Sequence, residues 1–74
     1  MKTVITFGTY DVFHVGLLNI LQRAASLGDL LIVGVSTDAL SFSKKGRYPV
    51  YTQNDRMKIV NSLRYVNLCF EEAS

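Results

Sequence analysis

The one histidine of this chain, His14, follows the run Gly8-Thr9-Tyr10-Asp11-Val12-Phe13, where an apolar segment gives way to a helical pattern. A turn that leaves a buried strand and opens a helix aims unpaired backbone N–H groups, and the positive end of the helix dipole, at one place. Gly8 lets a ligand approach the backbone there, and Thr9 adds a hydroxyl donor. An imidazole in the first helical turn, neutral or protonated, donates to a phosphate oxygen. These residues describe a candidate anion or phosphate site. Asp11 in the same turn can cap the helix. One turn beyond His14 on the same face stands Leu17, which offers no donor and reads as a core residue packing near Leu21.

The elements that must hold this turn are legible in order. Val4–Phe7 is short, β-branched and apolar on both faces, which predicts a strand buried in the middle of a sheet. Leu17, Leu18, Leu21, Ala24, Ala25 and Leu27 recur at helical spacing and predict a helix over 13–27, with Gly28 as a left-handed cap. Leu30–Val35 is a second buried strand, so the two form a βαβ unit with a right-handed crossover. Ser36-Thr37-Asp38 leaves at the carboxyl edge where open α/β sheets bind ligands. Ala39–Phe42 suggests a short helical turn, and 43–47 a mobile, solvated basic loop containing Lys44 and Lys45, kept extended by Pro49. Thr52 and Asp55 mark a helix start. Arg56–Arg64 continues it with Met57, Val60 and Leu63 on one side, and Tyr65–Phe70 reads as a third strand. The order β-α-β-α-β is half of a doubly wound domain. Three parallel strands with two crossovers leave part of the sheet uncovered, to be met by a second copy or by further sequence.

Bulk properties limit the function classes. At 74 residues this is at most one small domain. Its 49% hydrophobic content argues against disorder. A formal charge of +2, with scattered lysines and arginines, gives no case for nucleic acid. Cys69, the single cysteine, excludes an internal disulfide, reads as a small apolar core residue and suits a reducing cytoplasm. No run approaches the roughly 18 apolar residues that span a membrane, and Val4–Phe7 is too short for a secretory signal core. Tyr48 and Tyr51 read as packing residues.

Gly8-Thr9-Tyr10-Asp11-Val12-Phe13-His14-Val15-Gly16 resembles the G-T-[FY]-D-x-x-H-x-G-H signature of the cytidylyltransferase-like nucleotidyltransferases. The resemblance extends through Leu21-Gln22-Arg23-Ala24, Leu27-Gly28-Asp29, Val35-Ser36-Thr37-Asp38, the lysine pair, and Arg56 with Arg64-Tyr65-Val66, and is nearest to the glycerol-3-phosphate cytidylyltransferases. It implies an α/β, Rossmann-like parallel sheet of the HIGH-superfamily type, of which residues 1–74 would be the N-terminal β-α-β-α-β portion, truncated at the C-terminus. The implied reaction transfers CMP from CTP to glycerol 3-phosphate, releasing pyrophosphate, with Mg²⁺ accompanying CTP in a cytoplasmic homodimer.

The resemblance also implies roles. Gly8, Thr9, Tyr10 and His14 would meet the triphosphate, with His14, Lys44 and Lys45 stabilising charge during transfer. Asp11 and Asp38 would position the acceptor, and Arg56 would bind its phosphate or order the loop. The chain departs from the signature at Leu17, where the family carries a second histidine. Loss of one such preorganised donor costs on the order of 100- to 1000-fold in rate, roughly 3–4 kcal/mol. Two alternatives remain at this point: an adenylyltransferase or other cytidylyltransferase of the same superfamily, and a non-catalytic nucleotide-binding or assembly remnant.

Overall fold

The computed structural model describes residues 1–73. Helix α1 (Val15–Ala25) joins strands β1 (Thr3–Gly8) and β2 (Leu30–Ser36), and two helices, α2 (Asp38–Lys45) and α3 (Gln53–Asn61), where one was expected, join β2 to strand β3 (Leu68–Glu72). The strands form one parallel sheet in the order β1-β2-β3, with Ile5 paired to Ile32 and Ile32 to Leu68, so β1 is a half-exposed edge strand and not the buried central one its composition predicts. This is a Rossmann-like α/β arrangement.

Because the strands follow one another across the sheet, two right-handed crossovers necessarily fall on the same side. Leu21 of α1 and Val60 of α3 are fully buried against Leu31, Val33 and Val35 of β2, with Ala24, Ala25 and Met57 packed around them. Full burial of such side chains contributes about 1.5–3 kcal/mol each. The opposite sheet face is apolar and bare: Ile5, Phe7 and Leu68 are 55%, 54% and 55% exposed. Phe7 and Phe70 meet edge to face, 5.9 Å apart, across Gly34. A Cβ on Gly34 would lie 2.5 Å from Phe7 Cδ1, so a side chain here would have to displace the Phe7 and Phe70 rings.

Several boundaries differ from the sequence expectation. Helix α1 starts at Val15 and ends at Ala25, where Ser26 caps it in right-handed geometry. Gly28 is therefore not a left-handed cap. Glycine is needed there because a Cβ would meet the Lys2 carbonyl oxygen at 2.7 Å, at the point where Asp29 and Leu30 donate to that same carbonyl. The left-handed cap is Gly46 (φ 73°), which closes α2 by donating to Phe42 O at 2.7 Å. Residues 43–45, expected in a mobile loop, are thus the last turn of a helix capped by Thr37. Lys44 and Lys45 complement the negative end of its dipole. Strand β3 begins at Leu68, because Asn67 first bridges to Leu31 through both its amide N–H and its side-chain oxygen.

Candidate functional site

The turn after β1 has an unusual backbone. Tyr10 (φ 55°) and Val12 (φ 48°) both take the left-handed conformation, which costs about 1–3 kcal/mol for each non-glycine residue and needs external support. That support comes from two side chains. The first is Arg56 of α3, which is 0% exposed. Its Nη1 donates to Thr9 O at 2.7 Å, Nε to Tyr51 O at 3.0 Å, and Nη2 to Asp38 Oδ1 at 2.8 Å. Of the two roles expected of Arg56, the geometry supplies loop ordering, since every one of these partners is a protein oxygen and the side chain is enclosed. Asp38 lies at the sheet edge as expected, with its carboxylate engaged by that guanidinium.

Asp11 provides the second support, and not as a helix cap. Its carboxylate accepts from Val50 N (2.7 Å), Tyr51 N (2.8 Å) and Val12 N (3.1 Å), tying the turn to the segment before α3. Burial acts to raise the Asp11 pKa, but the Tyr51, Val50 and Val12 amides, helped by the Arg56 charge, outweigh it and hold the pKa below its ordinary 3.8. A carboxyl depressed on folding contributes stability above its unfolded pKa and loses it as pH falls through the folded value. The Val50 and Tyr51 amide resonances should therefore titrate together with a midpoint below 3.8. A midpoint at or above the ordinary value would show that the carboxylate does not hold this segment.

The cap of α1 is His14. Its Nδ1 accepts from Gly16 N at 3.0 Å, so in the neutral ring the proton sits on Nε2, leaving a donor on an exposed side chain at the helix N-terminus. A Cβ on Gly16 would lie 2.8 Å from His14 Cε1, so Gly16 is what lets the ring fold back onto the helix. Leu17 is partly buried and packs against the core, as its type suggests.

Gly8 and Tyr10 have a different relation from the one expected. The space above Gly8 is filled by the Tyr10 ring, whose Cε2 and Cζ would both be 2.8 Å from a Cβ there. Tyr10 is 7% exposed, and burial pushes its phenol pKa up. It is a core residue supporting the turn, not a group facing a phosphate, and Gly8 accommodates that ring in place of a ligand. Thr9 Oγ1 accepts from Lys45 Nζ at 3.3 Å, which joins α2 to the turn. Lys44 is exposed beside it in the same helical turn.

A cleft of about 350 Å³ opens between the turn (Asp11, Val12), helix α2 (Ser41, Lys45) and residues 47–50. Tyr48 on its rim stacks on Phe42 at 4.6 Å, in keeping with a packing role. Ser41 and Arg47 were not singled out as site residues by the sequence. The available signal was spacing: Ser41 precedes Lys45 by one helical turn and shares its face, but only if 38–45 is read as a helix. Cys69 is half-buried against the core, and burial raises its thiol pKa. Among the described residues no cluster of His, Cys, Asp and Glu side chains gathers to hold a metal. No helix is long and apolar enough to cross a membrane among these residues.

This geometry can be set beside known proteins. The family model described as Cytidylyltransferase-like matches residues 5–74. The glycerol-3-phosphate cytidylyltransferase of Staphylococcus aureus (strain NCTC 8325 / PS 47) is 43% identical over 72 residues, covering 97% of this chain and 54% of that protein. The FAD synthase of Pyrococcus abyssi (strain GE5 / Orsay) is 39% identical over 64 residues, 86% of this chain and 43% of that protein. Among solved structures, the lipopolysaccharide core biosynthesis protein from Thermoplasma volcanium GSS1 superposes with a TM-score of 0.90 at 28% identity, covering 97% of this chain and 58% of that one. The chain spans about half the length of the curated relatives it matches. A strand-to-helix turn capped by His14, braced by α3 and matched by one family model from Ile5 onward places this chain in the cytidylyltransferase-like family.

Proposed function

We propose that this chain carries the phosphate-binding half of a nucleotidyltransferase that moves CMP from CTP to glycerol 3-phosphate, giving CDP-glycerol and pyrophosphate. The observation that supports this reading most is the His14 arrangement: a ring held by Gly16 N through Nδ1, which leaves the Nε2 donor on an exposed side chain at the N-terminus of α1. The identity to the Staphylococcus aureus enzyme adds the choice of nucleotide and acceptor. In this scheme an acceptor phosphate oxygen attacks the α-phosphorus of CTP, a new P–O bond forms and the bond to pyrophosphate breaks. His14, Lys44 and Lys45 would oppose the charge that grows on the phosphoryl oxygens, a contribution that depends on donors already in place. The acceptor would enter the cleft beside Asp11. Mg²⁺ would arrive with CTP, and the protein would work as a cytoplasmic homodimer, with further sequence completing the nucleotide site.

A second reading, a remnant that binds nucleotide without turning it over, is favoured by Leu17, whose side chain packs on the core where the signature has a donor. An adenylyltransferase is the third, since the FAD synthase match shows that the family is not confined to one substrate. Thermal shift separates them. CTP with Mg²⁺ at about 100 times its Kd should stabilise the chain by about 2.7 kcal/mol, with a smaller shift from ATP, and CDP-glycerol should form when glycerol 3-phosphate is added. A shift with CTP but no product supports the remnant, a larger shift with ATP supports the adenylyltransferase, and no shift with either nucleotide overturns the proposal.

A further inference from the structure

Five serines lie among the described residues, and four of them donate their hydroxyl within the chain. Ser26, Ser43 and Ser62 donate to the carbonyl three residues earlier, at 2.6, 2.8 and 2.6 Å, and Ser36 to Glu72 at 3.3 Å. Ser41 does not. It is 1% exposed, and its Oγ is buried with no hydrogen-bond partner among the described residues. Buried hydroxyls are paired in the great majority of native structures. A helical serine always has a local alternative in the preceding turn, and the other helix-terminal serines take it.

The position of Ser41 gives this a meaning. It lines the cleft, one helical turn before Lys45 on the same helix face, and Arg47 lines the same cleft. The cleft is therefore lined by two cations and by a serine whose buried hydroxyl is uncommitted. The Asp11 carboxylate in the same wall already accepts from the Val50 and Tyr51 amides. A ligand matching this set carries an anionic head for Lys45 and Arg47 and a neutral hydroxyl for Ser41. The volume suits a small molecule of that kind, at the low end of ordinary ligand pockets.

We infer that Ser41 is a specificity-determining residue of the cleft, pairing with a hydroxyl of a polyol phosphate whose phosphate is held by Lys45 and Arg47. This rests on the reading of the cleft as the acceptor site and goes beyond it by naming the group that tells a polyol phosphate from a plain alkyl phosphate. An uncommitted buried hydroxyl gives no stability to the free chain, so its value is realised only with a ligand bound.

The test compares glycerol 3-phosphate with propyl phosphate, which has the same phosphate and no hydroxyls, by calorimetric titration of the 74-residue chain and of Ser41→Ala. The natural chain should prefer glycerol 3-phosphate by about tenfold. Ser41→Ala should bind propyl phosphate as before and lose that preference, while its ligand-free melting temperature stays the same or rises, because alanine is the better helix former. A fall in the ligand-free melting temperature would mean that the hydroxyl already has a partner in the chain, and would overturn the inference. So would a preference unchanged in Ser41→Ala, or absent from the natural chain. Ser41→Thr, which keeps a hydroxyl, should retain the preference. If CTP raises the melting temperature but neither phosphate ester binds, the inference fails while the nucleotide reading stands. If CTP gives no shift either, both fail.

Discussion

Replacing Arg56 by methionine is expected to cost about 3 kcal/mol of folding stability, within the range seen when one partner of a buried ion pair is removed. The side chain is fully enclosed, and its loss leaves the Thr9 and Tyr51 carbonyls and the Asp38 carboxylate without their donor. For a chain of this size, whose total stability by per-residue averages is about 4–11 kcal/mol, that is a large fraction. Arg56→Lys should recover little, because one ammonium cannot reach three acceptors lying in the plane of a guanidinium. Asp38→Asn should be milder, since Asp38 is 34% exposed at its side chain and water can take over part of its role. Urea unfolding of the three variants decides the matter: a Met variant within about 1 kcal/mol of the natural chain would mean that the Arg56 network does not hold the turn.

The second large effect concerns rate. Leu17→His restores a donor one turn beyond His14 on the same helix face, and on the proposed function it should raise CMP transfer to glycerol 3-phosphate by about 100- to 1000-fold. The cost falls on stability. Leu17 is half-buried against the core, so exchanging it for imidazole should lose about 1–2 kcal/mol, part of the value of a fully buried leucine. Activity and unfolding measured on the same preparation separate the two effects. A folded Leu17→His chain that still forms no CDP-glycerol would favour the non-catalytic remnant. A gain in rate together with a loss in stability would identify Leu17 as a residue that trades one for the other.

How much of this was legible in the sequence depends on whether the signal was local. The alternation of apolar strands with helical spacing gave the parallel sheet, and Thr52 was placed correctly as the cap of α3, where it accepts from Asp55 N. Gly28 and Gly46 were harder to tell apart, because a glycine after a helix can be required either by a left-handed angle or by a close neighbour. Only the fold shows that Gly28 faces the Lys2 carbonyl while Gly46 carries the positive φ. Lys44 and Lys45 looked like loop residues because serines and lysines carry no apolar stripe, yet Thr37 and Gly46 fix a helix around them. Asp11 and Arg56 stand out in the sequence as candidates, but their contacts in the fold are with backbone groups far along the chain, Tyr51 for Asp11 and Thr9 for Arg56. No spacing rule reaches that far. Tyr10 misled for a related reason: an aromatic ring beside a glycine in a turn can face outward or cover that glycine, and here the ring is buried.

The bare face of the sheet has a consequence for how the chain responds to heat. Ile5, Phe7 and Leu68 are already about half exposed in the folded state, so unfolding brings less new apolar surface into water on that side than a covered face would. The heat-capacity increment of unfolding, ordinarily about 12–15 cal/mol/K per residue, should fall below that average, and the denaturant slope with it. A small increment gives a shallow, broad curve of stability against temperature. Any body that comes to lie on those side chains would steepen the curve, so the calorimetric profile itself reports whether the face is covered.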